Sequence, residues 1–193
     1  EDKFLLCIAD VSGKGVPAAI LMSNFQAALR VLVHYTNDLK QIVEELNQLI
    51  LKTSSGGSFI TAFFAIYDKK AKSLSYVNAG HNSPFLYTVA GDLELLEKGA
   101  TILGGFAPLP FLDVASINDL GDFFLFCFTD GFTETYNEDG EEFGEDALAQ
   151  YIQKNLELDP KILHQNLLDY LENFKEGNKY IDDITLLSCK VSS

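Results

Sequence analysis

The sequence predicts an α+β domain in which pairs of helices flank a largely antiparallel stack of sheets. Three observations support this fold class: a strand signal precedes two helical segments, several hairpin signals follow, and two further helical segments precede a last strand. With 193 residues, 47% of them apolar and 22% charged, the chain has an ordinary globular composition and can bury a sizeable core. We expect one domain over residues 1–193, or two at most.

The first predicted strand covers residues 4–9, a short apolar run typical of a strand buried on both faces. It leads into Asp10, a glycine-containing turn and a helix over residues 16–35, with Pro17 in its first turn. Because this helix is apolar on nearly every side, we expect protein to cover most of its surface, either as core packing or partly by a partner or a second copy. Its narrow polar stripe consists of Ser23, Gln26, Arg30 and His34.

A second amphipathic helix is predicted to follow Asp38, which serves as N-cap with Gln41 in the capping-box position. Asn47 is expected to face outward, and the SSGG run at residues 54–57 ends this helix. The remaining predicted elements are a loop at 103–111, strands at 59–67, 74–79, 85–89, 93–96, 112–117, 123–129 and 184–189, and helices at 145–156 and 160–174, the last N-capped by Asp159.

Three aspartate positions lie beside predicted core strands. Asp10 and Asp130 each end such a strand, and the pair Asp182-Asp183 precedes the last one. Because the end of one antiparallel strand lies beside the start of its neighbour, these acidic groups can meet at one edge. Converged carboxylates raise one another's pKa unless a cation neutralises them, and an all-oxygen cluster suits Mg²⁺ or Mn²⁺.

Four motifs occur in the order found in metal-dependent serine/threonine phosphatases: DVSGKGVPAA from residue 10, NAGHNSPFLY from 78, FTDGFTE from 128 and DDITLL from 182. The sequence resembles the bacterial branch of these PPM phosphatases, the stage II sporulation protein E and RsbU type, which is related to eukaryotic type 2C phosphatases. The resemblance covers essentially the whole chain. It implies a largely antiparallel β-sandwich flanked by helix pairs, with α-β-β-α layers.

The resemblance also implies a site that holds two Mn²⁺ or Mg²⁺ ions and activates a bridging water for in-line attack on the phosphoryl group, without a covalent phosphoenzyme. Asp182 rather than Asp183 is the expected ligand, and Lys14 either faces a phosphate or is a surface lysine. The implied metal ligands are Asp10, Asp130, Asp182 and the backbone carbonyl of Val11, and the implied supporting residues are Gly13, Gly15, Gly131, Asp183 and Thr185.

Two departures from the pattern bear on activity. Ser12 stands where type 2C relatives carry a histidine that could protonate the leaving group, as is usual in the bacterial branch. The family's upstream acidic motif, on a preceding strand, would fall before residue 1. We therefore expect this chain to be weakly active or inactive by itself, or to present a sheet edge that favours dimerisation.

Other candidate side chains have more than one interpretation. His81 is either an acid or ligand, or a turn histidine whose needs are met by local backbone hydrogen bonds. His34 and His164 have helical contexts and are interpreted as structural. The acidic run at residues 138–142 is interpreted as a solvated loop that could bind a cation. The three cysteines have no nearby arginine, which disfavours a cysteine-based phosphatase, and SGKG lacks the earlier glycine of a P-loop.

The net charge and the positions of the cysteines indicate which partners and which cellular compartment to expect. The net charge of −14 argues against nucleic acid or an anionic membrane as the main partner. Cys7, Cys127 and Cys189 lie among apolar neighbours in predicted strands, which indicates reduced thiols and a cytoplasmic setting. No apolar segment is expected to reach membrane-spanning length, because polar residues interrupt the longest one. The abrupt start without methionine indicates a domain of a longer multidomain signalling protein, which other domains could anchor to a membrane.

The resemblance implies a function in bacterial signal transduction. The expected reaction is hydrolysis of phosphoserine or phosphothreonine on a phosphorylated STAS-type anti-sigma-factor antagonist, with a sensor or receiver domain upstream in the same chain. The alternative is a catalytically impaired module that binds a phosphoprotein or forms a homodimer. Hydrolysis of small phosphoesters is a third hypothesis.

Overall fold

The computed structural model describes residues 2–54, 57–88 and 91–192. The chain forms two compact units. Unit 1 comprises the residues up to His81 together with Leu96–Leu120, and unit 2 comprises Asn82–Leu95 and the residues from Gly121 onward. The predicted α+β class with largely antiparallel sheets is confirmed.

The secondary structure follows the predicted order. The helices are α1 (Val16–Tyr35), α2 (Leu39–Thr53), α3 (Asp130–Thr133), α4 (Glu145–Lys154) and α5 (Pro160–Phe174). The strands are β1 (Lys3–Val11), β2 (Ile60–Asp68), β3 (Ser73–Ala79), β4 (Phe85–Thr88), β5 (Leu93–Leu95), β6 (Gly99–Ala100), β7 (Ala115–Ile117), β8 (Phe123–Phe128) and β9 (Leu186–Val191). Two predicted features fall partly outside the described residues: the SSGG run, at Ser55 and Gly56, and the turn after β4, at Val89 and Ala90.

Unit 1 contains a sheet with the order β1-β2-β3-β6, and β7 also pairs with β3. Every pairing is antiparallel except that of β3 with β6. Helices α1 and α2 pack with one face of this sheet in a common apolar core that includes Phe25, Ile42, Ile50 and Phe64. The side chain of Asp38 caps α2 as predicted, because its Oδ1 accepts hydrogen bonds from the backbone N–H groups of Lys40 at 2.9 Å and Gln41 at 3.4 Å.

Strand β1 is less buried than predicted. Of its side chains only that of Ile8 is buried, so the prediction of a strand buried on both faces is wrong. The reason is that β1 pairs only with β2 among the strands that the structure describes and therefore forms an edge of the sheet. An edge of this kind was one of the expectations for this chain.

Helix α1 has the predicted bounds but not the predicted burial. Of its 20 residues, all of them described, only Leu21 and Phe25 are buried. Val16, Ile20 and Val31 are 72%, 57% and 55% exposed, so the core-packing alternative is wrong for most of this helix, and cover by a partner or a second copy stays a prediction. The apolar residues on the side of α1 away from the core have no cover within the described part of the chain.

Length and composition would allow α1 to cross a membrane, so the prediction that no segment reaches membrane-spanning length is wrong. This is weak support for a span, because core helices of water-soluble proteins and signal sequences meet the same criterion. Among the described residues it is the one helix that does so.

Asn47 is buried within α2, where an outward-facing side chain was predicted. Its side-chain amide donates to the carbonyl of Phe106 at 2.9 Å, and its Oδ1 accepts from the N–H of Gly104 at 2.8 Å. These two bonds satisfy the buried amide and fix the loop between β6 and β7 against α2. The amphipathic pattern of α2 could not reveal this, because the partners lie 57 and 59 residues away in sequence.

Unit 2 contains a sheet with the order β5-β4-β8-β9, antiparallel throughout. Every residue of β8 is buried, as expected of the most apolar run in the chain. Residues of α4 and α5 pack with this sheet around an aromatic core that includes Phe85, Phe126 and Phe128. Asp159 caps α5 as predicted, by accepting a hydrogen bond from the N–H of Lys161 at 2.9 Å.

The sequence did not reveal two short elements. Strand β6 has two residues and pairs in parallel with β3, and α3 is a single turn directly after β8. The last strand begins at Leu186, two residues later than predicted.

All three cysteines are free, with Cys127 buried and the other two half-buried, and burial raises the pKa of Cys7 to about 12. The thiols are unbonded as predicted, but of the three cysteines only Cys127 has the buried core position that was expected.

We predict that Asn47→Ala destabilises the protein by about 1–3 kcal/mol, because it leaves the N–H of Gly104 and the carbonyl of Phe106 without their partner. Urea unfolding measures the effect. The matched control is Gln48→Ala, an exposed neighbour on the same helix, for which little change is expected. Equal effects of the two substitutions would show that the Asn47 bonds do not fix this loop.

Candidate metal centre

The predicted acidic ligand in unit 1, Asp10, lies near the end of β1 directly opposite Thr61 of β2. Its neighbours Ala9 and Val11 pack against the core beneath α1 and α2. Because side chains alternate along a strand, Asp10 lies on the opposite face of the sheet, where it is exposed. The carboxylate therefore lies on the face of the sheet away from the helices.

Ser12 continues the pairing of the first two strands beyond Val11. Its N–H donates to the carbonyl of Phe59 at 2.9 Å, and its Oγ accepts from the N–H of Phe59 at 2.7 Å. The residue that replaces the type 2C histidine thus has a structural role, since it anchors the chain just after Asp10.

Gly13 and Gly15 have φ angles of +87° and +80°, which strain any residue with a Cβ. A Cβ at either position would meet no atom within 4 Å, so the backbone conformation, not close approach, accounts for glycine here. Gly15 is the N-cap of α1. Lys14 lies exposed between them.

In unit 2, Asp130 is the first residue of α3, the one-turn helix that follows β8, and it is half-buried. The preceding Thr129 is buried and fixes the chain that leads into β9. Its Oγ1 donates to the carbonyl of Asp183 at 3.1 Å and accepts from the N–H of Thr185 at 2.9 Å. Thr129 therefore joins the segments that carry Asp130 and Asp182, a role the sequence did not reveal.

Gly131 allows these two segments to approach closely. A Cβ on Gly131 would lie 2.5 Å from the carbonyl oxygen of Asp183 and 3.1 Å from that of Asp182. Distances of this size to backbone atoms exclude a side chain. Asp183 itself donates its N–H to Oδ1 of Asp182 at 2.8 Å, and Thr185 takes part through its backbone.

The electrostatics of unit 2 show that the acidic side chains lie near one another. The pKa of Glu134 is raised, first by partial desolvation and then by three neighbouring carboxylates, those of Asp130, Glu142 and Asp182. Glu134 is one helical turn after Asp130, and its N–H donates to the carbonyl of Asp130 at 2.8 Å. Sequence reasoning missed Glu134 as a neighbour of the site, although it is the last residue of the FTDGFTE motif.

His81 is 7% exposed and belongs to unit 1. Its Nδ1 lies 3.1 Å from Oγ1 of Thr61, the residue opposite Asp10. The side chain of Asn78 binds the backbone of His81 at both its N–H and its carbonyl, at 2.8 and 3.0 Å. The imidazole is thus held by a side chain 20 residues away rather than by local backbone alone.

The other two histidines, His34 and His164, have different surroundings from those of His81. His34 is exposed near the end of α1. His164 packs edge-on against Phe126 at a ring distance of 5.6 Å, and desolvation lowers its pKa. Both observations agree with the structural interpretation of these residues.

A divalent metal centre is compatible with the acidic residues of unit 2. The available donors are carboxylate and carbonyl oxygens, which are the ligands that Mg²⁺ and Mn²⁺ prefer. The carboxylates of Asp130 and Asp182 contribute to the raised pKa of Glu134, and a bound cation would offset their effect on it. Within the described residues, no group of three or more His, Cys, Asp or Glu side chains is already arranged to hold a metal ion.

Comparison with known proteins identifies the family. The sequence profile of the stage II sporulation protein E (SpoIIE) family matches residues 1–192. This chain belongs to the SpoIIE family. The prediction from the four sequence motifs is therefore confirmed.

Two solved structures and one curated relative illustrate the similarity within and around the SpoIIE family. The SiaA-PP2C domain of Pseudomonas aeruginosa superposes with a TM-score of 0.86 at 19% identity, over 99% of this chain and 77% of that one, which shows the fold. The RsbU and RsbW domains of a Mycobacterium tuberculosis protein give a TM-score of 0.76 at 26% identity, over 99% and 54% of the two chains. Phosphoserine phosphatase RsbU of Bacillus subtilis is 28% identical over 97% of this chain.

The chain spans 55% of the length of RsbU, about half of that relative. Its fold is that of a PP2C phosphatase domain.

We predict that Gly131→Ala separates the α3 segment from Asp182-Asp183 and lowers stability by about 1–3 kcal/mol, since the added methyl group meets backbone that cannot rotate away. Thermal or urea unfolding measures the loss. Gly121→Ala is the control in the same unit, because a Cβ there meets no atom within 4 Å. If the two substitutions have equal effects, the close approach at Gly131 is not important to the fold.

Proposed function

We propose that this chain is the catalytic domain of a metal-dependent phosphatase that hydrolyses phosphoserine or phosphothreonine in a protein. The observation that carries the proposal is the acidic arrangement around α3, where Glu134 lies near Asp130 and Asp182 within the region that matches the SpoIIE family. An accumulation of carboxylates is unsuited to binding a phosphate by itself, so it calls for a cation. The oxygen-only donors favour Mg²⁺ or Mn²⁺.

The proposed ligands of two such ions are Asp10, Asp130 and Asp182, with the backbone carbonyl of Val11. When bound, the ions supply a more acidic water and compensate the negative charge that develops on the phosphoryl oxygens. Thr129 and Gly131 hold the Asp182 segment against α3. The Ser12–Phe59 hydrogen bonds hold the backbone next to Asp10 and Val11. Asp183 and Thr185 support the segment, and Lys14 is proposed to approach a substrate phosphate.

The reaction adds water across the phosphoester: an O–P bond forms from water, and the bond from phosphorus to the serine or threonine oxygen breaks. The hydroxyl groups of Ser12 and Thr129 each take part in hydrogen bonds to the backbone. Ser12 is therefore not assigned as the acid for the departing oxygen, and we propose that solvent supplies that proton.

The partners are proposed from the family. A phosphorylated STAS-type anti-sigma-factor antagonist is the proposed substrate, a sensor or receiver domain is proposed upstream in the same chain, and a cytoplasmic setting is proposed for the domain. The name of the RsbU relative, a phosphoserine phosphatase, supports the phosphoserine specificity.

We predict that hydrolysis of para-nitrophenyl phosphate requires Mn²⁺ and falls by about 100-fold or more in Asp130→Asn, because the substitution removes a charged ligand while keeping the size of the side chain. The assay uses residues 1–193 alone and a longer chain that is extended upstream. Asp169→Asn is the matched control, since Asp169 is exposed on α5 and binds Gln165 of the same helix. Turnover without metal, or unchanged turnover in Asp130→Asn, would refute the proposal.

The alternative, an impaired module that forms a homodimer, is favoured by one observation, the exposed apolar face of α1. Val16, Ile20, Ala27 and Val31 recur at helical spacing on this face. We propose that a second copy of this chain covers it. Helix α1 contains no Asp or Glu, and Arg30 is its one Lys or Arg, so two copies of a chain with net charge −14 can meet there without carboxylate repulsion. A homodimer is compatible with catalysis as well.

We predict that the chain is a dimer at micromolar concentration and that Val31→Glu converts it to a monomer, because the new carboxylate would have to be desolvated in the interface. Sedimentation equilibrium measures the change. The control is Ile162→Glu, since Ile162 of α5 is 52% exposed, similar to Val31. A monomeric unaltered chain, or dissociation by the control alone, would exclude an α1 interface.

A further inference from the structure

The turn that follows β3 is built to place one imidazole. Asn78 is 4% exposed, and its side chain binds the backbone of His81 on both sides, with the N–H at 2.8 Å and the carbonyl at 3.0 Å. Gly80 has a φ angle of +72°, and a Cβ there would lie 2.8 Å from Cγ2 of Ile102. In the sequence NAGHN, residues 78–82, the first asparagine and the glycine therefore fix the backbone of His81.

The imidazole of His81 is directed at Thr61. Its Nδ1 lies 3.1 Å from the threonine Oγ1, and the ring is almost completely buried, so this polar contact is protected from water. Thr61 is half-buried and sits between the buried residues Ile60 and Ala62 of β2.

Thr61 and Asp10 are direct neighbours across β1 and β2. Ile60, Ala62, Ala9 and Val11 belong to the core on the helix side of the sheet, so Thr61 and Asp10 both lie on the other face. Opposite residues of an antiparallel pair have Cβ atoms about 4.5–5.5 Å apart, which allows a hydroxyl and a carboxylate to meet.

We propose that His81 is a positioning residue that acts on Asp10 through Thr61. His81 donates from Nδ1 to Oγ1 of Thr61, which directs the threonine hydroxyl hydrogen to the carboxylate of Asp10 and fixes the orientation of that ligand. Outer residues that orient metal ligands through hydrogen bonds raise the metal affinity of a site. The inference rests on the proposed function, because it takes Asp10 to be a metal ligand. It also assigns a role to the NAGHN motif, which the proposed metal ligands do not explain.

The primary test measures Mn²⁺ affinity by titration calorimetry for the unaltered chain and three variants. Thr61→Val removes the hydroxyl but keeps the β-branched shape, and we expect it to weaken Mn²⁺ binding by about 10-fold or more. Thr61→Ser keeps the hydroxyl and is expected to retain the affinity. Asp10→Asn tests the ligand itself and is expected to lose binding.

A second pair of variants tests the imidazole. His81→Leu removes both ring nitrogens and is expected to weaken Mn²⁺ binding as Thr61→Val does. His81→Asn keeps an N–H donor close to the position of Nδ1 and is expected to restore part of the affinity. Urea unfolding of each variant separates a change in metal affinity of the folded protein from a loss of fold.

Nitrogen-15 NMR of the metal-free chain gives a readout independent of metal. The proposal expects His81 to carry its proton on Nδ1, whereas protonation on Nε2 alone would overturn it. Loss of Mn²⁺ binding in Asp10→Asn with unchanged binding in Thr61→Val would overturn the inference and leave the proposed function intact. Equal Mn²⁺ affinity of Asp10→Asn and the unaltered chain would overturn both.

Discussion

Repulsion between carboxylates is the constraint around which the acidic part of this molecule is built. Charges of one sign separate unless the backbones that carry them are held together by other contacts. In unit 2 those contacts are neutral: the hydroxyl of Thr129 binds the backbone at Asp183 and Thr185, and Gly131 allows backbone to meet backbone. Apart from the N–H of Asp183, which donates to Oδ1 of Asp182, these bonds that hold the acidic segments do not use the carboxylates. A cation can bind these carboxylates without breaking the contacts that position them.

In unit 1, strand pairing holds the backbone that carries the acidic residue Asp10. The ladder between β1 and β2 fixes the backbone at Asp10, and the Ser12–Phe59 hydrogen bonds extend it past the end of β1. The following glycines then turn the chain into α1 with φ angles that other residues would adopt only under strain. The backbone on either side of Asp10 is thus specified by contacts that are independent of its charge.

The elements that could be predicted are those whose signals are local. The bounds of α1 follow from its apolar length and Pro17, and the caps at Asp38 and Asp159 act as expected. Asn47 was assigned to the surface because its partners are distant in sequence, and β1 was expected to be more buried because an apolar run does not reveal how many neighbours a strand has. For the site, strand ends predicted that Asp10, Asp130 and Asp182 meet at one edge, whereas Asp10 belongs to the sheet of unit 1 and the other two flank strands of the sheet in unit 2. The contributions of Thr129 and Glu134 depend on contacts across the fold that no local pattern contains.

The division into units has a consequence for how this domain can be inherited. Unit 1 is interrupted by Asn82–Leu95, so the chain passes from one unit to the other three times, after His81, Leu95 and Leu120. The side chain of Asn78 binds the carbonyls of both His81 and Leu96, at the first exit and the first return. Neither unit is a continuous stretch of sequence. A single gene fusion, truncation or proteolytic cut therefore cannot release one of them intact, and recombination can only transmit the two together.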